Sequence, residues 1–399
     1  MKHQWRFRGN EIKYINEVLV TGETSSTGGN FNNKFEKLFA EKVGARYAVT
    51  FNSGTSTLHA ALDALDVKFG DEVIVPPITV ISNFDVIIAS NAVPVFVDVD
   101  PHTYNLDVND LESKITNRTK AIMPISVYGL SCDLDPIMKI AKKYNIGVIN
   151  DAAEAHGSTY KNKLLGGIAD ITSYSTENTK HITTGDGGIV VTNDEDLATK
   201  MRKFGSLGYA LMKAGEGRIR LDKSIFQDPS YKRHDSYALN YRMPEVAAAV
   251  GLAQTERLDE FINIRTGIGK LMREVASSSE LLIPQREIEG CKNTYWTFAA
   301  RLMNNEIKWQ DFRSKFIESG GESIFGCWAL TYDEPVVSQG RYKKHNPILY
   351  DNLTYEKGIC PNAETIQPQL MLFPTNYETI DEGKIQAEAL LKTLKYFEN

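Results

Sequence analysis

The chain has 399 residues, 42% of them apolar and 24% charged, with a formal net charge of −6. That composition suits a globular protein with a sizeable core, and the length suits a large domain plus a smaller one. A net negative chain without a basic tail argues against a nucleic-acid partner, and no apolar run is long enough to span a membrane.

The first residues, MKHQWRFRGN, lack the apolar centre of a signal peptide, so a cytoplasmic location is expected. Cys132, Cys291, Cys327 and Cys360 stand far apart, with no C-x-x-C pair and no histidine at ligand spacing. Free thiols are therefore expected, with neither a disulfide framework nor a metal site.

In chain order, EIKYINEVLVTG (11–22) has the apolar spacing of a helix ending at Gly22. The polar loop GETSSTGGNFNN leads into a second helix, KFEKLFAEKVG. Then a rhythm begins: ARYAVTF, DEVIVPP, AVPVFVDVD, KAIMPISVY, NIGVIND, ADITSYS and GGIVVTND read as strands. TSTLHAALDAL and LDPIMKIAKKY read as helices between them. Near-continuous apolar strands alternating with helices predict a mostly parallel sheet covered on both faces, an α/β fold. The rhythm stops near residue 200. Residues 212–235, rich in charge and glycine, read as a long functional or mobile loop. The segment from Met243 to Val275 reads as one long helix with Pro244 in its first turn. From about 280 the pattern mixes strands (YWTFAARLM) with helices (DFRSKFIES, DEGKIQAEALLKTLKYF). The expected division is a large domain over 1–250 and a small α+β domain over 251–399.

Ligands of open α/β sheets collect at the carboxyl ends of strands. Three such ends carry chemistry. In AVTFNSGTSTLHAAL, Ser53, Gly54 and Thr55 open a helix and offer N–H groups and hydroxyls to a phosphate; a plain N-cap is the structural alternative. In IGVINDAAEAHG, Asp151 ends a buried strand, where a carboxylate needs a cation or several donors; it also suits an N-cap for AAEA. Glu154, three residues on, completes a capping box or faces the same ligand. In SYSTENTKHITTGDGG, Ser175 ends a strand and Lys180 sits in the following turn. The glycines of GDGG precede a strand, so neither a dinucleotide loop nor a P-loop is present. A phosphate cradle, a buried carboxylate and an amine together suit pyridoxal phosphate.

Over nearly its whole length the chain resembles the DegT/DnrJ/EryC1/StrS family of sugar aminotransferases, which are fold type I (aspartate-aminotransferase-like) pyridoxal-phosphate enzymes. The resemblance rests on GGNFNNKFEKLFAEKVGARYAVTFNSGTSTLHAAL, GDEVIVPPITVISN, VPVFVDVDPHTYNLD, VINDAAEAHGSTYKNK, STENTKHITTGDGGIVVTND and LNYRMPEVAAAVGLAQTERLDEF, in that order. It implies that Lys180 bonds the cofactor aldehyde and that Asp151 pairs with the pyridine nitrogen. It implies further that Ser175, Gly54 and Thr55 hold the phosphate with Ser53 beside them, and that Asn240 reaches the cofactor phosphate of a neighbouring subunit in a homodimer with shared active sites.

There are departures. Val80 stands where an aromatic usually stacks on the cofactor ring, and Ser126 where related sequences have histidine. Glu154 occupies a position that is often glutamine, and facing a phenolic oxygen it should be protonated. Glutamate there leans toward the subgroup that aminates C4 of nucleotide-linked 4-keto-6-deoxy sugars, including perosamine synthases. The implied reaction is a ping-pong transfer from an amino acid, L-glutamate as in the family, to a nucleotide-linked keto sugar, with pyridoxamine 5′-phosphate between the halves.

The alternatives are a non-sugar or 3-keto substrate, a sugar 3-dehydratase (in which histidine replaces the lysine), and a non-catalytic regulator. His181 and His156 read as lining or packed residues. Arg218, Arg220, Lys232 and Arg233 read equally as a diphosphate grip or as solvated charge. The segment 22–29 is a candidate substrate-side loop, with a plain linker as its alternative; Trp328 and Tyr332 are weaker candidates for the sugar pocket.

Overall fold

The computed structural model describes residues 4–398; the first three residues of MKHQWRFRGN lie outside the described residues. Seven strands form the central sheet: β1 (Tyr47–Phe51), β2 (Glu72–Val75), β3 (Val93–Phe96), β4 (Thr119–Ile122), β5 (Gly147–Asp151), β6 (Ile171–Ser175) and β7 (Gly188–Thr192). Their order across the sheet is β1-β7-β6-β5-β4-β2-β3. Only β7 runs against its neighbours. The reason is local. No crossover helix separates β6 from β7, and two strands joined by a turn must be antiparallel. The turn of that hairpin carries Lys180.

The apolar runs are buried on both faces, as a parallel sheet between helical layers requires. Val73 and Val75 pack into one core, and Ile74 between them packs into the other. One face is covered by helices Phe31–Val43 and Glu245–Glu256. The other is covered by helix Gly54–Ala64 and, unexpectedly, by residues 330–366 near the C-terminus, among them Tyr332, Tyr350 and Ile366. A second, antiparallel sheet of Leu282–Pro284, Thr297–Leu302, Leu370–Pro374 and Phe325–Gly326 encloses a third core with helices Trp309–Glu318 and Ile380–Glu398.

The expected single helix over 243–275 is two, Glu245–Glu256 and Leu258–Ala276. The ladder breaks at Arg257 (φ −103°, ψ 7°), whose Nη1 donates to the Arg6 carbonyl while Nε and Nη2 hold Glu260. Gln254 Nε2 donates to that same carbonyl at 2.6 Å, so the N-terminal turn Gln4–Phe7 docks at the break. Beyond it, the second helix packs Phe261 and Ile262 on the large sheet and Ile268 and Met272 in the small core. Residues 212–235 are largely loop, with one short helix, Lys223–Gln227. The loop touches the 22–29 segment through Ile219 N–H and the Thr27 carbonyl, 3.1 Å apart. Among the described residues no helix is long and apolar enough to cross a membrane. The four cysteines are free thiols.

A buried ion pair ties helix Phe31–Val43 to helix Glu195–Phe204. Arg202 Nη1 and Nη2 grip Glu36 at 3.0 and 2.9 Å, and Nη2 also donates to the Ala48 and Ala214 carbonyls. Glu36 receives Thr50 N–H as well, which anchors the start of the helical layer to β1. Arg202→Met is expected to destabilise the fold by about 3–5 kcal/mol, because it strands a buried carboxylate. Adding Glu36→Gln to that variant should restore part of the loss. Urea unfolding of the two single variants and the double variant measures both effects.

Candidate active site

Because β1, β5 and β6 point the same way, Ser53, Asp151 and Ser175 meet at one edge of the sheet. Asp151 ends β5 with 3% of its surface exposed. Its Oδ2 accepts from Asn83 Nδ2 at 2.8 Å and its Oδ1 from Ala153 N–H at 3.0 Å. Burial pushes this carboxyl above the usual range; the two donors and the nearby Lys180 charge pull the other way. The segment AAEA forms turns and not a helix, so Asp151 caps nothing.

Glu154 likewise completes no capping box. Its Oε2 accepts from Tyr128 N–H at 3.0 Å, and its Oε1 lies 3.3 Å from Lys180 Nζ. Tyr128 is left-handed (φ 61°), a sparsely populated state for a side chain of this size, and it aims that N–H at the carboxylate. Burial raises the Glu154 carboxyl too, with the Lys180 charge the main opposing cause.

Lys180 has 12% of its side chain exposed, and its Nζ stands 4.2 Å from the centre of the Trp296 ring. The amine is thus held between a carboxylate and an aromatic face. Trp296 Nε1 donates to the Thr179 carbonyl at 3.0 Å, which fixes the ring against the lysine turn.

Helix Gly54–Ala64 starts directly after β1. Ser53 is its N-cap, accepting from Ser56 N–H at 3.1 Å, and Ser56 Oγ returns the bond to Ser53 N–H. The N-cap reading and the open first-turn N–H groups therefore coexist. Gly54 is needed for a close approach: a Cβ there would lie 3.0 Å from Ser175 Cβ. Thr55 is exposed and Ser53 half-buried beside it. Val80 is 46% exposed at the start of the segment that carries Asn83. Asn240 is exposed and follows the loop; its neighbour Tyr241 accepts from Asn52 N–H at 2.9 Å, next to the helix start.

Other candidates sit elsewhere. Tyr332 is 1% exposed and donates to Glu364, so it is core and not pocket. Ser126 is buried, with its Oγ on Asn150 Oδ1 at 3.0 Å. His181 is fully enclosed, 3.1 Å from the Thr294 carbonyl. His156 packs among Phe39, Tyr174 and His181, where burial brings it down to about 3 and keeps it neutral. Arg218 and Arg220 pair with Glu216 inside their own loop, Arg233 donates to the Phe226 carbonyl, and Lys232 is exposed.

Sequence reasoning passed over Asn83, Tyr128 and Trp296. Asn83 lies within the motif GDEVIVPPITVISN, yet nothing in its neighbours pointed to Asp151. A better signal was rarity. The chain has four tryptophans, and Trp5, Trp296, Trp309 and Trp328 all line one groove of about 940 Å³ that opens beside Thr179. Glu322, Glu378 and Glu382 also line it.

Residues 6–387 match the model of the DegT/DnrJ/EryC1/StrS aminotransferase family. The chain is 41% identical over 300 residues to a GDP-perosamine synthase of Caulobacter vibrioides, covering 74% of this chain and 76% of that one. It is 40% identical over 349 residues to a GDP-perosamine synthase of Escherichia coli O157:H7, covering 88% and 89%. Among solved structures, an aminotransferase from Psychrobacter cryohalolentis superposes with a TM-score of 0.86 at 28% identity, over 98% of both chains. With a family match running nearly end to end and relatives at this identity, the protein belongs to the DegT/DnrJ/EryC1/StrS aminotransferase family.

Proposed function

We propose that this protein is a pyridoxal-phosphate-dependent aminotransferase that moves an amino group from L-glutamate to C4 of a nucleotide-linked 4-keto-6-deoxy sugar. It does so in the cytoplasm, as a homodimer in which Asn240 reaches the neighbouring subunit's site. The family supports the reaction class, and the likeness to perosamine synthases supports a nucleotide-linked keto sugar as acceptor. One observation carries the assignment of the site. The Lys180 amine is held between Glu154 and Trp296, at the sheet edge where Asp151 and an open helix start also lie.

The donor set fits the cofactor. Lys180 supplies an amine for its aldehyde, and Asp151 a buried anion for its ring nitrogen. Gly54, Thr55 and Ser175, with Ser53 beside them, supply N–H groups and hydroxyls for its phosphate at the positive end of an eleven-residue helix. Val80, in place of a stacking aromatic, would offer the ring an apolar contact. Bound pyridoxal phosphate supplies an aldehyde that takes up amines and a ring that accepts electrons from the reacting carbon.

The remaining work falls to this chain. Lys180 Nζ, released as a free amine, takes a proton from the α-carbon of the amino acid. In the second half-reaction it returns a proton to the sugar carbon that receives nitrogen. Asp151, once opposite a cation, is favoured in its charged form, which offsets part of what burial costs it. Glu154 changes role: when the lysine amine leaves it, burial favours the protonated acid, which donates to a phenolic oxygen instead of repelling it. The tryptophan-lined groove offers flat faces to a pyranose ring.

Lys180→Ala should remove turnover, which the visible spectrum of the cofactor-loaded protein tests directly. In the wild type the absorption band should bleach with L-glutamate alone; in the variant it should not respond. A band that responds equally in both proteins would defeat the assignment.

Asp151→Asn should lower turnover on the order of a hundredfold or more, the scale of removing a preorganised charge from a reacting centre. Its effect on the cofactor-free protein has a definite sign. Burial raises the Asp151 carboxyl in the fold, so the native state holds that proton more tightly than the unfolded chain, which loses it above about pH 4. The stability contributed by that proton therefore falls as pH rises. Relative to wild type, the variant should gain stability between about pH 4.5 and about pH 7, as denaturant midpoints at the two values would record.

A further inference from the structure

Two buried guanidiniums converge on the turn that carries Lys180. Arg6, 2% exposed in the N-terminal turn, donates through Nη1 to the Asn178 carbonyl and through Nη2 to the Lys180 carbonyl at 2.7 Å and the His181 carbonyl at 3.3 Å. Arg265, 2% exposed on helix Leu258–Ala276, donates through Nη2 to the Thr179 and Lys180 carbonyls at 3.1 and 3.2 Å. Its Nη1 reaches across to the small sheet, to the Trp296 carbonyl at 2.8 Å and Thr375 Oγ1 at 3.2 Å.

This is a costly arrangement. Neither arginine makes an ion pair among the described residues. Burial, and then the charge of Arg6, pulls Arg265 well below its usual range. A fold that needed only to satisfy these five carbonyls would do so with neutral amides at lower cost. What a guanidinium adds is a rigid planar fork that bonds two chain segments at once.

The circuit closes on Trp296. Its carbonyl accepts from Arg265, its Nε1 donates to the Thr179 carbonyl, and the Lys180 amine lies over its ring. We propose that Arg265 and Arg6 are positioning residues that clamp the backbone of the Lys180 turn, so that the amine returns to one place between Glu154 and Trp296 after each departure. Because Arg265 holds the turn and the small sheet together, that place is defined jointly by both sheets. The proposal rests on the assignment of Lys180 as the reactive amine.

Arg265→Lys, which keeps the charge and loses the fork, is the first test, and Arg6→Lys the second. Capture of pyridoxal phosphate by cofactor-free protein, followed by growth of the visible band, should slow about tenfold or more in Arg265→Lys. The kcat should fall by a similar factor, with the donor KM unchanged within about twofold. In the cofactor-free protein, amides of residues 178–182 should exchange hydrogen about tenfold faster while those of β5 stay as in the wild type. Arg265→Lys that folds with wild-type capture and exchange overturns the clamp. If it does not fold, Arg6→Lys decides by the same measurements, and failure of both to fold makes the arginines structural and equally overturns it. Failure of the functional assignment looks different: the Lys180→Ala band would bleach with L-glutamate as the wild-type band does, while the exchange measurement would still read the clamp.

Discussion

Removing charge from water is the constraint around which this molecule is organised. Asp151, Glu154, Arg6 and Arg265 are all buried, and Lys180 nearly so, within one small region at the carboxyl edge of the sheet. Each would be costly alone. They persist because every one has a specific partner: Asn83 and Ala153 N–H for Asp151, Tyr128 N–H and Lys180 for Glu154, and backbone carbonyls for the two guanidiniums. The carboxylates remain under-compensated, with burial the leading cause of the shift in both. That residue of unfavourable energy is a reason to read the region as a ligand site.

Topology makes this concentration possible. Six strands run in one direction, so their carboxyl ends share an edge, and the single reversed strand, β7, is what turns the chain there as a hairpin. A crossover helix between β6 and β7 would have carried the lysine segment over a face of the sheet. The connection without a crossover helix keeps it at the edge, a few residues from Ser175, and the two arginines hold it from outside.

The small sheet contributes to the same place from the far side. Trp296 begins just before strand Thr297–Leu302, and Thr375 follows the end of strand Leu370–Pro374. Their bonds to Arg265 bind the two sheets at the lysine and leave a groove beside it lined by every tryptophan in the chain. Tryptophan is large and flat, and four of them lining one groove supply apolar contact area with few rotamers to freeze.

Much of this was legible in the sequence because it is local. Periodicity marked the alternating strands and helices, since side-chain direction follows directly from backbone period. The ends of β1, β5 and β6 were readable as chemistry because Ser53, Asp151 and Ser175 stand at the end of apolar runs. Where local signals misled, the competing term was tertiary. Pro244 and an unbroken helical pattern predicted one helix, and docking of the Arg6 carbonyl against Gln254 and Arg257 made two. Asp151 and Glu154 had the spacing of a capping box, yet no helix follows, because their oxygens are drawn to Asn83, Tyr128 and Lys180. By itself the sequence determined the layered α/β fold and the turn between two strands that carries the lysine, for those depend on neighbours a few residues apart. Only the tertiary structure decided which groups share the buried edge. Arg6, Trp296 and Thr375 come from distant parts of the chain, and a contact across 85 or more residues (Lys180 to Arg265 is the shortest of the arginine bonds to that carbonyl) leaves no periodic trace in the sequence.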